Sequence, residues 1–322
     1  MRQRRRWRDV AEYAVFRTFV GVVEAMPARA AARVAEMAGN AFFRFLPRKL
    51  TRYQVARDNL QNAFGDDIND AQADDIIRRM WVHLFRMVVE MIQLRRKLRV
   101  ENCKQVLRFY QKEEVVQALY SDRPVLFLSG HFGNWEIGIS CFGVFGFEMN
   151  IVARDLDNPY LDDWFRKFRE QTGHHTISKK GGFDKMAVEL AAGGTIALLG
   201  DQDAGRRGVF VDFFGRPAST HRAIALMALQ YDALICVGYS RRLEDRFGDG
   251  LPLHYEVGCE EVIDPRTIDA DDEVAEITRR YSAALERAVR KSPEQYFWVH
   301  RRWKSIPGQK RKRKQQPLKK AG

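Results

Sequence analysis

From residue 123 to residue 257, short apolar runs alternate with stretches of helical periodicity. This alternation constrains the fold more than any other feature of the chain. The runs are PVLFLS (124–129), MNIVAR (149–154), TIALLG (195–200), ALICVGY (233–239) and LPLHYEV (251–257). Between them, residues 135–144, 160–171, 183–192 and 221–230 read as helices. Strands separated by helices predict an α/β fold, a mostly parallel mixed sheet flanked by helices. In such sheets the chemistry collects beyond the carboxyl ends of the strands. SGHFGNWE, ARDLDN and GDQDAGRRG each follow directly on a predicted strand, so three polar clusters are expected along one edge.

The first 120 residues read as helical. Residues 28–45 are Ala-rich and are closed by Pro47. Asn69-Asp70 is placed to cap a long helix with a Met80, Leu84, Met87, Val88, Met91 stripe, which is expected to face the core. His83 and Glu90 on that helix are expected to be structural. The sequence thus divides into a basic, amphipathic N-terminal part (1–47), a helical region (48–120), an α/β core (121–305) and a basic tail expected to be disordered (306–322).

Charge is distributed unevenly over these parts. Five arginines in MRQRRRWR and seven Lys or Arg in KRKRKQQPLKKAG account for the whole net charge of +12, leaving the body from residue 9 to 309 neutral. Basic tails attract phosphate on lipid headgroups or on nucleic acid. In VAEYAVFRTFVGVVEAM (10–26), Ala11, Val15, Phe19, Val22 and Met26 recur on one helical face. The run is interrupted by charge and shorter than the roughly 20 apolar residues of a spanning helix. It also has no small-residue cleavage site. The expectation is a membrane-associating helix lying in the interface, with packing on the protein's own core as the competing reading. Cys103, Cys141, Cys236 and Cys259 are widely spaced and form no CxxC pair, which points to buried packing cysteines in a reducing compartment.

PVLFLSGHFGNWE carries the sharpest chemical candidates, His131 and Glu136. On a continuous helix five residues rotate by about 500°, leaving the two side chains about 140° from facing each other. They can meet only if His131 lies in the turn and Glu136 in the first turn of the following helix, with Gly130 and Gly133 relaxing the backbone. A carboxylate would then fix the imidazole tautomer and leave the other ring nitrogen free to take a proton from a hydroxyl. The spacing alone leaves this pair open between a general-base dyad, metal ligands and the polar rim of an ordinary turn. No HExxH and no GxSxG motif supports a zinc or serine-hydrolase reading.

Four blocks, SGHFGNWE, VARDLDNPYLDDWF, LLGDQDAGRRGVFVDFFGRPAST and YFWVHRRWK, resemble in content and order the late acyltransferases of lipid A biosynthesis, within the wider lysophospholipid acyltransferase superfamily. The resemblance runs from about residue 10 to 304. It implies an O-acyltransferase that moves a fatty acyl chain from an acyl thioester, carried by acyl carrier protein or coenzyme A, to a hydroxyl of a lipid A precursor or related glycolipid. His131 would be the base and Glu136 its acidic partner, with neither metal nor other cofactor. Arg154 would hold an acceptor phosphate, against the alternative of a salt bridge to Asp155 or Asp157. Asp201, Gln202 and Asp203 would lie near the catalytic edge, and Arg206 and Arg207 would be available for phosphate. FFGRPAST would shape a pocket wall, with Thr220 capping the next helix. Arg301 and Arg302, between Trp298 and Trp303, would suit a headgroup interface. His174-His175 are expected only to lead a strand.

The same resemblance implies a peripheral or monotopic enzyme on the cytoplasmic face of a bacterial inner membrane, held at an anionic lipid surface. Its partners would be the membrane lipid acceptor and the thioester donor. The alternatives are acylation of another glycolipid or aminolipid, an esterase, and a nucleic-acid-binding protein. The neutral folded body speaks against the last, which wants basic residues interleaved with aromatics on a folded face.

Overall fold

The computed structural model describes residues 2–245 and 253–308. Of the basic tail read above as 306–322, residues 309–322 lie outside them. A seven-stranded sheet forms the centre. Its strands in chain order are β1 (Leu107–Tyr110), β2 (Val125–Ser129), β3 (Asn150–Ala153), β4 (His175–Ser178), β5 (Thr195–Leu199), β8 (Leu234–Arg242) and β9 (Tyr255–Ile263). Their spatial order is β1-β9-β8-β2-β5-β3-β4. All neighbours pair in parallel except β8 and β9, which run antiparallel, so the sheet is mixed and mostly parallel as expected.

Both faces of the sheet are covered, and β2 shows why its sequence is apolar throughout. Alternate residues point to opposite faces. Leu126 and Leu128 join one core with Ile224, Ala228, Ala284 and Leu285, which come from α10 (Arg222–Tyr231) and α11 (Glu273–Lys291). Val125 and Phe127 join another with Val115 and Ala118, from α6 (Lys112–Leu119). A solvated sheet face would have required polar residues at every second position.

α4 (Asp70–Lys97) opens with the expected cap. Asn69 accepts from Gln72 N, while the Gln72 side chain accepts from Asn69 N. α2 (Ala28–Phe45) packs along α4, and its Gly39 lies so close that an added Cβ would stand 2.6 Å from the backbone of Val82.

Three expectations need correction. β1 lies inside the stretch read as entirely helical, because its short LRFY pairs at the sheet edge with β9. The last strand begins at Tyr255 and runs on to Ile263, later than LPLHYEV suggested. FFGRPAST forms most of a separate antiparallel hairpin, β6 (Val209–Phe213) with β7 (Arg216–Thr220), where the sequence turns at Phe214-Gly215. Thr220 donates to Ala218 O, and His221 occupies the N-cap position of α10 instead.

α1 (Arg2–Ala25) divides its apolar residues between two faces. Val20 and Val23 are buried against α4, with Phe16 beside them. The stripe picked out by its spacing looks outward for most of its length. Val15 is 72% exposed, Phe19 44% and Val22 55%, while Met26 packs inward. Among the described residues no helix is long and apolar enough to cross a membrane.

Candidate active site

The site grows out of the register between β2 and β5. Ser129 stands opposite Leu199, and Gly200 N donates to Ser129 O at 2.9 Å. Two residues beyond each paired strand end come His131 and Asp201, so the parallel ladder sets them side by side. The imidazole Nδ1 donates to Asp201 Oδ1 at 2.7 Å, and the His131 backbone amide donates to Oδ2 at 2.9 Å. Asp201 is 1% exposed.

Burial pushes the Asp201 carboxyl up, but the His131 charge and hydrogen bonds outweigh it and hold the group well below the usual carboxylate range. Burial likewise disfavours the imidazolium of His131. The Asp201 charge and hydrogen bond overcome that effect, and Glu136 adds to them, so its pKa stands above the ordinary imidazole value.

The turn that carries His131 is held from several sides. Gly133 has φ +61°, and a Cβ there would stand 1.7 Å from Ser240 O, so only glycine fits. Its amide donates to Gln295 O, and its carbonyl accepts from the Nε2 of buried His83 at 3.0 Å. Asn134 N donates to Ser240 O, and the Asn134 side chain caps α7 (Trp135–Val144) by accepting from Ile137 N. His83 is structural, as expected. So is Glu90, which accepts from Arg242 Nε at 2.8 Å.

Glu136 sits in the first turn of α7, where the spacing placed it, but it does not hold His131. Its two oxygens accept from Arg169 NH2 at 2.7 Å and Nε at 3.1 Å, Arg169 being on α8 (Pro159–Glu170). The fork of the guanidinium takes both carboxylate oxygens, leaving Glu136 as a nearby charge while Asp201 makes the hydrogen bond to the imidazole. The expected hydrogen bond between His131 and Glu136 is absent from the described contacts, and Asp201 takes that place on the imidazole. The sequence contains the sign of it, since LFLSGH and ALLGD both end an apolar run with Gly followed by a functional side chain.

His131 lines a cavity of about 830 Å³ together with Glu136, Arg154, Arg169, Lys179 and Gln202. With Nδ1 engaged, Nε2 is the ring nitrogen left to meet a ligand. Arg154 and Lys179 follow β3 and β4, whose register pairs Ala153 with Ser178, so these two cations are neighbours on the cavity rim. Asp155 is occupied by the Ser178 hydroxyl at 2.7 Å. Neither cation has an ion-pair partner among the described residues. Lys179 escaped the sequence reading because SKKGG lies outside the blocks that draw attention.

The remaining candidates lie elsewhere. Asp203 accepts from Ser305 N and Oγ, each at 3.1 Å, and from Gly205 N, so it ties the segment at Ser305 to a turn. Arg206 and Arg207 are exposed on that turn and do not line the cavity, nor does exposed Arg301. Arg302 is 2% exposed and donates to Ser219 O and Thr220 Oγ1, bracing β7. Trp298, His300 and Arg302 are buried, so these members of the aromatic-basic block are core where a headgroup interface was expected, while Arg301 and Lys304 stay exposed. No residue of FFGRPAST lines the cavity.

The family model described as bacterial lipid A biosynthesis acyltransferase matches residues 2–305. The chain belongs to this family. Among curated relatives of this acyltransferase family, it is 28% identical over 188 residues to the lipid A biosynthesis lauroyltransferase of Escherichia coli (strain K12). The match covers 58% of each chain. The lipid A biosynthesis acyltransferase 2 of Shigella flexneri is 24% identical over 257 residues, 79% of this chain and 77% of that one. The phosphatidylinositol mannoside acyltransferase of Mycolicibacterium smegmatis (strain ATCC 700084 / mc(2)155) is 29% identical over 126 residues, 37% of this chain and 40% of its own.

Proposed function

We propose that the protein transfers a fatty acyl chain from an acyl thioester to a hydroxyl of a glycolipid, with a lipid A precursor as the preferred acceptor. The observation that carries this reading is the His131–Asp201 pair opening onto a large cavity. Asp201 fixes Nδ1 as the protonated nitrogen, so Nε2 takes the acceptor's hydroxyl proton as its oxygen attacks the thioester carbonyl carbon. The tetrahedral adduct collapses, the C–S bond breaks, and the imidazolium returns its proton to the leaving thiolate. Glu136, held by Arg169, adds negative charge near the imidazolium while it exists. Arg154 and Lys179 suit an acceptor that carries phosphate near the reacting hydroxyl. The donor is an acyl carrier protein or coenzyme A thioester.

The outward apolar stripe of α1, with Trp7 at 73% exposure, supports a seat in the interface of a bacterial inner membrane on its cytoplasmic side. The phosphatidylinositol mannoside acyltransferase relative favours a second reading, another glycolipid acceptor on the same chemistry.

Purified protein, a labelled acyl thioester and each acceptor in turn distinguish the two by mass spectrometry of the lipids. Acylation of the lipid A precursor is expected. Transfer only to the mannolipid would replace the preferred acceptor, and thioester hydrolysis with no acceptor modified would replace acyl transfer by an esterase. Vesicle flotation tests the seat of α1. Val15→Ser with Phe19→Ser should reduce recovery with anionic vesicles several-fold, and unchanged recovery would remove α1 from the interface.

A further inference from the structure

Five exposed cations gather beside the cavity. Arg206 and Arg207 lie on the turn after β5, Arg222 opens α10, and Arg301 and Lys304 follow Val299. Short contacts draw the three segments together. Ser305 donates to Asp203, Ala204 N donates to Ser219 O at 3.2 Å, and Arg302 donates to Ser219 O and Thr220 Oγ1 at 2.7 and 2.8 Å. Gln202, His221 and Ala223 line the cavity, so the cationic region begins at its margin.

The fold gives these cations no work. None of the five has an ion-pair or hydrogen-bond partner for its side chain among the described residues, whereas every arginine of α11 pairs with a glutamate. Asp203 is the one carboxylate on residues 203–207, 219–222 and 301–305, and Ser305 and Gly205 occupy it. Arg222 is also badly placed for stability. A cation at a helix N-terminus opposes the helix dipole, and α10 has no acid in its first turn to offset it.

The region lies across the sheet from α1. α10 packs on the Leu126 and Leu128 face of β2. α1 approaches from the other face: Phe16 packs on Trp164 and Phe165 of α8, Phe168 of α8 packs with Ile137 and Cys141 of α7, and Phe142 of α7 meets Phe127. Exposed apolar groups follow the same division. α1 presents Trp7, Val15 and Phe19, while the three basic segments expose no large apolar side chain and Trp303 turns in on Phe213. A cationic surface with nothing to insert suits an acidic partner arriving from water better than a bilayer.

We propose that this basic region docks an acidic carrier protein, which delivers the acyl thioester to the cavity from the α10 side while the lipid acceptor enters from the α1 side. The inference rests on the acyl-transfer reading and names the donor of that reaction. The carrier's carboxylates meet the five cations, and its thioester arm passes His221 towards His131.

The test is fluorescence anisotropy of a labelled bacterial acyl carrier protein lacking its phosphopantetheine arm, titrated with full-length wild type or with Arg206→Glu, Arg222→Glu. The double variant should bind about tenfold more weakly, and added salt should erase the difference. Arg206→Lys with Arg222→Lys should stay within twofold of wild type. In turnover, KM for the carrier thioester should rise about tenfold in the charge-reversed variant, with kcat and KM for the lipid acceptor within twofold. Equal carrier binding by wild type and the charge-reversed variant would overturn the proposal. Binding only when the arm is attached would also overturn it, assigning the cations to the arm's phosphate. Reduced recovery of the variant with anionic vesicles would overturn it in favour of the bilayer. Carrier binding involves no chemistry, so its failure is distinct from that of the acyl-transfer reading, which fails instead if no acceptor is modified.

Discussion

His131 and Asp201, separated by 70 residues in sequence, are joined by two hydrogen bonds, both accepted by the carboxylate: Nδ1 donates to Oδ1 and the His131 amide donates to Oδ2. A carboxylate engaged in this way fixes both the tautomer and the rotation of the ring. Asp201→Asn offers an amide in its place and should lower kcat by about 10²- to 10⁴-fold. Glu136→Gln leaves the tautomer untouched and should cost about tenfold or less. Steady-state kinetics with both substrates saturating compares them. Greater damage from the Glu136 variant would return the orienting role to Glu136.

A general base works only when neutral, so kcat/KM should rise with pH through the pKa of His131. Burial pulls that pKa down, but Asp201 and then Glu136 raise it above the ordinary imidazole value. The acid limb of the pH–rate profile should therefore lie at higher pH than for a free histidine. Asp201→Asn should move the residual activity's limb to lower pH, as the profile of that variant will show.

His83 makes a different pH prediction, on stability. Burial pushes its pKa down to about 4, and its Nε2 donates to Gly133 O. The unfolded chain binds this proton at about pH 6.5, so stability falls as pH drops from there towards the folded value. Between pH 7 and 5 this one group should cost about 2 kcal/mol. Denaturant unfolding of wild type and His83→Gln at both pH values isolates it. The variant keeps a side-chain donor for Gly133 O and should lose correspondingly less stability on acidification.

Arg154 and Lys179 stand as neighbours on the cavity rim without carboxylate partners among the described residues. Alanine at either position should raise KM for a phosphorylated acceptor about tenfold, the loss of one charge-assisted contact. KM for the thioester should stay the same. Initial rates with each substrate varied in turn decide the point, and an equal rise for the donor would assign these cations to the thioester carrier.

Much of the fold was legible because fully buried strands must be apolar on both faces, as β2 is. Its neighbours β5 and β8, and β3 beyond β5, read the same way. β1 was harder, because a four-residue edge strand such as LRFY buries too little to leave a pattern. The turn that carries His131 was legible as a place, while the partner of its imidazole was not. Spacing along the chain drew attention to Glu136, five residues away. The actual contact follows from a parallel register that joins residues 131 and 201, which the sequence holds only as two similar strand endings. Charge was the least informative property. Arg302 and Trp298 look like surface residues in a basic, aromatic block, yet both are buried because hydrogen-bond acceptors on β7 and a ring cluster were waiting for them.

The most direct measurement is the mass of a lipid A precursor after incubation with acyl carrier protein thioester and either wild-type protein or His131→Ala. Wild type should add one acyl chain, and the folded variant should leave the lipid unmodified. Normal acylation by His131→Ala would contradict the account.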